Sequence, residues 1–361
     1  MTRNKPRAKD RRDRKRGVER DQPELLEVLS LLAEMRDGNE YQSIVELRPR
    51  DGNLVPELRR AIADLEEIRG RRCLCYVSNV IKELPDTSIH PSDHLPFNEM
   101  VEQVPPDIDA VDIFLVTPGG SAEQVTLFVD ALRPRFNSVE FILPYKAMSA
   151  GSLWALSGEK IWMDRRAFIG PIDPQIRSSE GRLVPAQALL TLLGEIQKAG
   201  AEALQNNQDV PWAYVRLLDR MDQHQLGHAI NSTQYVIKIA SNYLENYKFR
   251  NWSTHASTGQ PVSDQEREQR ALRVAAKICD HKQWKAHGHA INRDAVYKEL
   301  NVKIDRLEDL MGFERAVRRL WALFYYVFDK SNCVKMMVSQ EYSVIRNAVV
   351  LVPSPPQSGG Q

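Results

Sequence analysis

Two short loops contain residues whose types and spacing could perform acyl-transfer chemistry. The first, Thr117 to Ser121 (TPGGS), follows the strand-like run Val111 to Val116 and includes Gly119 and Gly120. Adjacent glycines can adopt backbone angles that are closed to other residues, and an amide without a side chain can face a ligand directly. The loop therefore indicates either an anion-binding turn or an ordinary tight turn, since Pro-Gly is also common turn chemistry.

The second loop, Pro144 to Ser152, lies between the apolar run Val139 to Leu143 and an apolar helix. Within it, Ser149 is flanked by small residues at a strand-to-helix junction, where its hydroxyl can be exposed at the positive end of the helix. This is a position for a nucleophile, and the alternative is that Ser149 simply caps the helix. An acyl-transfer site needs both an activated hydroxyl and backbone donors for an oxyanion, and the two adjacent strand ends could supply them.

The elements that must position these loops alternate short apolar runs with helical stretches. Such alternation is typical of an α/β fold with a buried, mostly parallel sheet. Apolar residues at helical spacing, each followed closely by glycine, also predict two amphipathic helices upstream. The expected strands are 72–77, 111–116 and 139–143, and the expected helices are 23–36, 54–69, 94–104, 121–133 and 185–205.

Three ordered motifs resemble those of a known family: VDIFLVTPGG, then PYKAMSAGSLWAL, then EKIWMDRRAFIGPIDPQI. The chain is similar to the serine dehydrogenase proteinase family, relatives of signal peptide peptidase A and, more distantly, of the Clp protease proteolytic subunit. The resemblance extends from about Asn53 to about Asn301 and is strongest over 111–176. It implies a Clp/crotonase-like α/β fold, a spiral of strand-strand-helix units with added N- and C-terminal helices. It also implies peptide-bond hydrolysis through an acyl-enzyme, with no cofactor.

The resemblance also assigns roles to individual residues. Ser149 matches the family's serine nucleophile. Gly119 and Gly120 match the double glycine whose amides bind the substrate backbone and the oxyanion, and the amide of Ala150 would complete the oxyanion hole. Asp173 belongs to a matching signature, GPIDPQ, that is interpreted as structural; orientation of a catalytic group is the alternative role.

The general base is the least determined part of the site. The position of the histidine in Clp-type relatives is Pro174 here, so that triad cannot be carried over. Signal peptide peptidases use a downstream lysine, and Lys198 lies at a similar distance from Ser149. A lysine serves as a base only where burial or a nearby positive charge lowers its pKa. Apolar neighbours on the same helix could desolvate Lys198, and the alternative is a solvated lysine on an amphipathic helix. His287 matches a histidine that recurs late in the family's domain and is the alternative base.

A metal site is weighed and not expected. His224 and His228 stand four residues apart, as in helical zinc motifs, but the position of the general-base glutamate is Gln225. Cys73 and Cys75 are two residues apart on a predicted strand, so that both side chains lie on one face. We expect both to be small buried hydrophobic residues.

Charge and composition constrain the setting. The totals of 49 Lys+Arg and 48 Asp+Glu hide a basic arm, because residues 1–20 hold ten Lys or Arg and three Asp or Glu. No apolar signal segment follows the arm, no apolar run could cross a membrane, and four cysteines are too few for a disulfide framework. A cytoplasmic protein is therefore expected, with the arm solvated rather than bound to nucleic acid or another anionic partner. The expected organisation is a disordered basic arm (1–20), a helical extension (21–52), a Clp/crotonase-like peptidase domain (53–301), a C-terminal helical region (302–350) and a disordered tail (351–361).

These observations predict a soluble cytoplasmic serine peptidase with Ser149 as nucleophile, Lys198 as base and a peptide or protein substrate. A homo-oligomer is also expected, because relatives with the resembling fold commonly form rings or dimers. The aromatic-rich run 313–337 must be covered, by the chain's own core or by another subunit. The alternatives are a crotonase-like acyl-CoA enzyme and a latent or non-catalytic effector activated by a partner. Nothing in the sequence identifies the substrate.

Overall fold

The computed structural model describes residues 38–47, 54–178, 181–255 and 258–348. The helix expected at 23–36, the basic arm and the tail from 351 lie outside these ranges. In the described chain the α-helices are α1 (Glu40–Leu47), α2 (Val55–Arg69), α3 (His94–Glu102), α4 (Ala122–Leu132), α5 (Ala150–Ala155), α6 (Ala186–Gln205), α7 (Trp212–Arg220), α8 (Gln223–Tyr243), α9 (Asp264–Cys279), α10 (His281–Trp284), α11 (Arg293–Ala295) and α12 (Phe313–Lys330). Two π-helical turns occupy Leu244–Lys248 and Val296–Leu300, and 3₁₀ turns occupy Pro91–Asp93 and Leu307–Asp309.

The strands form one large sheet and two small ones. They are β1 (Arg72–Ser78), β2 (Ala110–Val116), β3 (Ser138–Leu143), β4 (Lys146–Ala147), β5 (Lys160–Met163), β6 (Phe168–Ile169), β7 (Gln175–Arg177), β8 (Leu183–Pro185), β9 (Ile291–Asn292), β10 (Asp305–Arg306), β11 (Cys333–Val338) and β12 (Ser343–Asn347). The large sheet has the order β10-β5-β3-β2-β1-β11-β12. Its strands from β10 to β1 are parallel, and the β11–β12 hairpin adds antiparallel strands beside β1. The α/β class and the three expected strands are confirmed.

A second, narrow layer of short strands runs beside the large sheet and repeats with it. After β1 the chain reaches Ile89, which pairs with Gly120 beyond β2; Thr117 in turn pairs with Ala147 in β4, and β4 pairs with β6. The chain thus repeats a unit of one long strand in the large sheet and one short strand or bridge in the narrow layer. In the first three units a helix follows, and these helices are α3, α4 and α5. The expected spiral of strand-strand-helix units is confirmed, and it brings the loops after β2 and β4 side by side.

Hydrophobic cores lie on both faces of the large sheet, which explains why every residue of β1 and β2 after the first is buried, instead of every second one. One core is centred on Trp154, whose ring contacts those of Tyr76, Phe97, Phe128 and Phe141 at centroid distances of 4.7 to 5.9 Å. This core lies directly beneath α5, the helix that Ser149 precedes. The rigid packing under α5 holds the strand-to-helix turn in place.

The other core joins α2 and α12 to the opposite face of the sheet. In α12, Phe313, Phe324 and Phe328 are completely buried. The aromatic run is therefore covered by the chain itself, which was the first of the two expected explanations. The C-terminal region is also not entirely helical, because β11 and β12 extend the large sheet. The expected domain boundaries remain predictions. Among the described helices, none is long and apolar enough to cross a membrane.

Candidate active site

Ser149 lies at the tip of the sharp turn that joins β4 to α5. Its backbone has φ +49° and ψ −116°, a conformation that non-glycine residues rarely adopt. The Met148 amide donates to the Thr117 carbonyl over 3.1 Å, and the Leu153 amide donates to the Ser149 carbonyl over 3.0 Å, which fixes the backbone on both sides. Ser149 occupies the position that precedes the helix, yet its side chain makes no capping hydrogen bond. A strained backbone and an uncommitted hydroxyl are the features of a nucleophile held ready for reaction.

Gly119 lies directly against this serine. A Cβ atom on Gly119 would come within 2.8 Å of both the Ser149 Cβ and the Met148 carbonyl oxygen, and the residue has φ +103°. Its amide donates to Thr117 Oγ1 over 3.1 Å. Gly119 therefore allows the close approach of the two loops, whereas its own N–H group is already used inside the turn.

Gly120 differs from Gly119 in leaving its amide available. It has φ +143°, and a Cβ there would lie 2.3 Å from the Ile89 carbonyl oxygen. The Ile89 amide donates to the Gly119 carbonyl, and the Ser121 amide donates to the Ile89 carbonyl, so that the peptide between them is held from both ends. Among the described residues, nothing accepts a hydrogen bond from the amide of Gly120 or from that of Ala150 at the start of α5. Both amides are free to bind an anion: that of Ala150 because the first amides of a helix have no partner within it, and that of Gly120 because the turn before α4 leaves it unpaired.

His287 and Asp173 form a pair on the same side of the molecule. The His287 Nδ1 atom lies 2.9 Å from Asp173 Oδ1. The Asp173 side chain is completely buried, whereas His287 is about one-fifth exposed. The two residues are 114 positions apart in the sequence. A carboxylate on Nδ1 of an imidazole fixes the tautomer that leaves Nε2 free to accept a proton.

One cavity of about 840 Å³ connects these groups. Ser149, Gly119, Gly120, Ala150 and His287 all line it. The structure therefore brings together the expected nucleophile, the expected oxyanion-binding residues and the histidine that was the alternative base.

Lys198 is placed differently. It lies on α6 with 78% of its side chain exposed and its Nζ atom 3.8 Å from Glu202 one turn away. It is not among the residues that line the cavity. The desolvation that a lysine base requires is therefore not provided for Lys198 by the described part of the chain.

The wall of the cavity opposite the two loops comes from residues that the sequence did not single out for the site. Helix α8 contributes Asn231, Tyr235 and Val236, and Leu183 comes from β8. The apolar surfaces of Leu153, Ile172 and Val236 suit an apolar substrate side chain. No local pattern marks these positions, because their amphipathic spacing is the same as that of any helix packed on a core.

Metal ligation receives no support from the described residues, which contain no group of three His, Cys, Asp or Glu side chains able to hold an ion. His228 lies at the cavity and His224 is exposed near the start of α8. All four cysteines are buried and unpaired. Hydrogen bonding to Cys75 and burial raise the pKa of the Cys73 thiol, which keeps that thiol neutral.

Comparison with known proteins finds a family match in the part of the chain that contains the two loops. Residues 98–207 match the family described as ClpP-like SDH-type serine proteinase, so the expected resemblance is confirmed over that segment. The segment contains Gly119, Gly120 and Ser149 but not His287.

Two curated relatives are uncharacterized proteins of Methanocaldococcus jannaschii. MJ0137 is 41% identical over 66 residues, which cover 18% of this chain and 23% of the relative. MJ1495 is 43% identical over 74 residues, which cover 20% of this chain and 24% of the relative. The chain thus spans less than a quarter of the length of the curated relatives it matches.

Similar solved structures include two mutants of the 1510-N membrane-bound stomatin-specific protease. One, with serine replaced by alanine, is 14% identical with a TM-score of 0.36 and covers 60% of this chain and 74% of that chain. The other, with lysine replaced by alanine and a bound substrate peptide, is 16% identical with a TM-score of 0.36 and covers 74% of this chain and 89% of that chain.

Proposed function

We propose that this chain, whose residues 98–207 match the ClpP-like SDH-type serine proteinases, hydrolyses peptide bonds through an acyl-enzyme on Ser149. The observation that carries the proposal is the shared cavity, which is lined by a strained serine, free backbone amides and a carboxylate-bound histidine. These are the parts that acyl transfer requires: a nucleophile, a base and an oxyanion hole.

The residues have separate roles in this mechanism. His287 Nε2 accepts the proton of Ser149 Oγ as the oxygen attacks the scissile carbonyl carbon, and Asp173 stabilises the resulting imidazolium. The amides of Gly120 and Ala150 donate to the oxyanion. His287 then returns the proton to the leaving amine, which leaves an ester on Ser149. Water, deprotonated by His287, attacks this ester and regenerates the serine.

This proposal replaces Lys198 by His287 as the base. Lys198 is 78% exposed and is not among the residues that line the cavity, so the described part of the chain does not bring it to Ser149. Lys198 would have to be buried by a second subunit before it could act as the general base for Ser149. His287 needs no such change, since its partner Asp173 is already in place.

A fluorophosphonate probe tests the proposal without a known substrate. Such probes phosphonylate serines that are activated by a base, so wild-type protein is expected to be labelled and Ser149→Ala is not. His287→Ala is expected to lose labelling, whereas Lys198→Ala keeps it. Equal labelling of wild type and Ser149→Ala would contradict the nucleophile, and loss of labelling in Lys198→Ala alone would restore the lysine as base.

The cavity favours a peptide over the acyl-CoA alternative. Its lining residues include no lysine or arginine among the described residues, although coenzyme A carries phosphates that cationic side chains normally bind. Retention of thioesterase or hydratase activity in Ser149→Ala would favour the CoA enzyme instead.

The expected homo-oligomer remains a proposal, and α7 is where we place its interface. No residue of α7 is buried, and its Trp212 side chain is 79% exposed. Val215, Leu217 and Leu218 on the same helix are also exposed. A second copy packed against α7 would cover this surface, as interfaces commonly cover aromatic and aliphatic side chains. Light scattering after size-exclusion chromatography should give a multimer that Trp212→Glu dissociates; a wild-type monomer at micromolar concentration would contradict this.

A cytoplasmic location and a protein or peptide substrate are part of the same proposal. Free cysteines suit a reducing compartment, and the described helices include no membrane span. Fractionation of cells that express the full chain, with immunodetection in each fraction, tests the location.

A further inference from the structure

Asp173 has a histidine on each of its carboxylate oxygens. His287 Nδ1 lies 2.9 Å from Oδ1, and His281 Nδ1 lies 3.4 Å from Oδ2. Neither Asp173 Oδ2 nor His281 Nδ1 has a hydrogen-bond partner in the described chain, and both atoms are buried. The two atoms face each other across 3.4 Å, and the mechanism above uses only the His287 side of the carboxylate.

This arrangement sets Asp173 apart from the other completely buried aspartates of the described chain. A buried carboxylate is expensive unless cations or N–H donors compensate its charge. Asp93, Asp112 and Asp164 are each compensated by arginine or lysine: Lys335 and Arg346 bind Asp93, Arg69 and Arg71 bind Asp112, and Arg318 binds Asp164. Asp173 has no arginine or lysine within ion-pair distance among the described residues, so its compensation depends on the two imidazoles.

The surroundings of His281 keep its ring close to Asp173. The residue opens α10, its amide donates to Gln187 Oε1 on α6 over 2.8 Å, and the preceding Asp280 caps the helix. The other titratable groups here are Cys279 at the end of α9, Asp280 and His287, while α6 presents the neutral Gln187. Burial and the charge of Asp173 raise the pKa of Cys279 to about 12, so the thiol adds no charge to the pair.

We propose that His281 is a positioning residue that acts on the reaction through Asp173. In this proposal the His281 ring turns from its 3.4 Å position so that its Nδ1–H donates to Asp173 Oδ2 and stabilises the carboxylate anion. The anion in turn accepts the Nδ1–H of His287, which leaves the His287 Nε2 lone pair for Ser149. A protonated Asp173 would instead donate to His287 Nδ1 and move the imidazole hydrogen to Nε2, where it blocks the base. This inference rests on the proposed function.

The consequence is a defined change in pH dependence. Loss of the His281 donor raises the proton affinity of the coupled Asp173–His287 pair, because the anion loses one of its two donors. The acid limb of the reaction, where activity appears as the pH rises, therefore moves to higher pH, by about one to two pH units for the loss of one hydrogen bond to a charged group.

Two substitutions of similar shape separate the effect of the His281 Nδ1–H group from that of side-chain volume. His281→Asn keeps an N–H at the place of Nδ1, and His281→Leu fills the same space without it. The measurement is the rate constant for fluorophosphonate labelling of Ser149 in the full chain between pH 4 and pH 9. We expect the acid limb of His281→Leu to move up by about one to two pH units, and that of His281→Asn to stay near wild type. His289→Leu, in the exposed loop beside His287, is the matched control and should behave as wild type.

The outcomes separate this inference from the proposed function. An acid limb in His281→Leu equal to that of wild type would overturn the inference, even if the rate fell at every pH, because a merely structural loss lowers the rate without moving the limb. A shift in His281→Asn as large as that in His281→Leu would also overturn it. The proposed function fails separately, if Ser149→Ala is labelled as fast as wild type.

Discussion

The replacement of Gly120 by alanine gives a sharp test of the oxyanion hole. A Cβ on Gly120 would lie 2.3 Å from the Ile89 carbonyl oxygen and 2.5 Å from its amide nitrogen. Ordinary contacts of this kind begin near 3.4 Å, and the backbone at φ +143° is itself unfavourable for a side chain. The loop and Ile89 must therefore separate, and the two hydrogen bonds that flank Gly120 hold them together now.

The magnitude follows from this displacement. Relief of the overlap moves the Gly120 amide by about 1 Å, and a misplacement of that size costs about 100-fold in rate. Loss of one oxyanion donor costs about 10²- to 10³-fold, which is consistent with it. We therefore expect the rate constant for fluorophosphonate labelling of Ser149 to fall at least about 100-fold in Gly120→Ala.

The control for this experiment is Gly194→Ala. Gly194 lies on α6, where a Cβ meets no atom within 4 Å, so the labelling rate should be unchanged and the folded state should gain up to about 1 kcal/mol. Circular dichroism melts show whether each variant is folded at the assay temperature. A folded Gly120→Ala protein that is labelled as fast as Gly194→Ala would refute the assignment of this amide to the oxyanion hole.

Three further predictions concern single groups. Asp173→Asn should slow Ser149 labelling by about 10⁴-fold with a folded protein, because the amide favours the wrong tautomer of the base; labelling at the wild-type rate would refute the triad. Burial lowers the pKa of Lys248 to about 8, so the charged side chain destabilises the folded state below that pH, and this cost disappears above about pH 10.5. Lys248→Met should therefore raise the free energy of unfolding at pH 7, and should raise it by less at pH 10. Urea titrations at the two pH values measure both changes. Burial raises the pKa of Asp164, but the Arg318 hydrogen bond and other donors lower it overall. Arg318→Met should therefore lower the free energy of unfolding by about 3–5 kcal/mol at pH 7 and by less as the pH falls below 4. A loss of stability that is independent of pH would contradict this.

The fold and half of the site could be predicted from the sequence. The strands and helices from 54 to 143 follow from apolar periodicity, and they lie within a few residues of their expected bounds. The loops after β2 and β4 are recognisable because each consists of consecutive residues, and the family resemblance assigned roles to Ser149 and Gly120 within them. The contacts with Ile89 and between the two loops, which hold these turns in place, appear only in the structure.

The base could not be found in the same way. Lys198 was chosen for its spacing from Ser149, its family-like helix and its apolar neighbours, and none of these determines whether a lysine on an amphipathic helix points to solvent. The structure leaves it 78% exposed. The cavity wall from α8 was missed for a related reason, since Tyr235 and Val236 have the pattern of ordinary helix residues.

By itself the sequence determined what is local: the class of the fold, the strained serine turn and the glycine turn beside it. Only the tertiary structure decided which groups complete the site, because Asp173 and His287 are 114 residues apart and become neighbours when α10 and its following loop pack against the segment after β6. The same packing places His281 on the second oxygen of Asp173. These contacts depend on how the whole chain folds. Once the fold is known, the partners of Asp173 can be identified, because a buried carboxylate is unfavourable unless nearby groups compensate its charge.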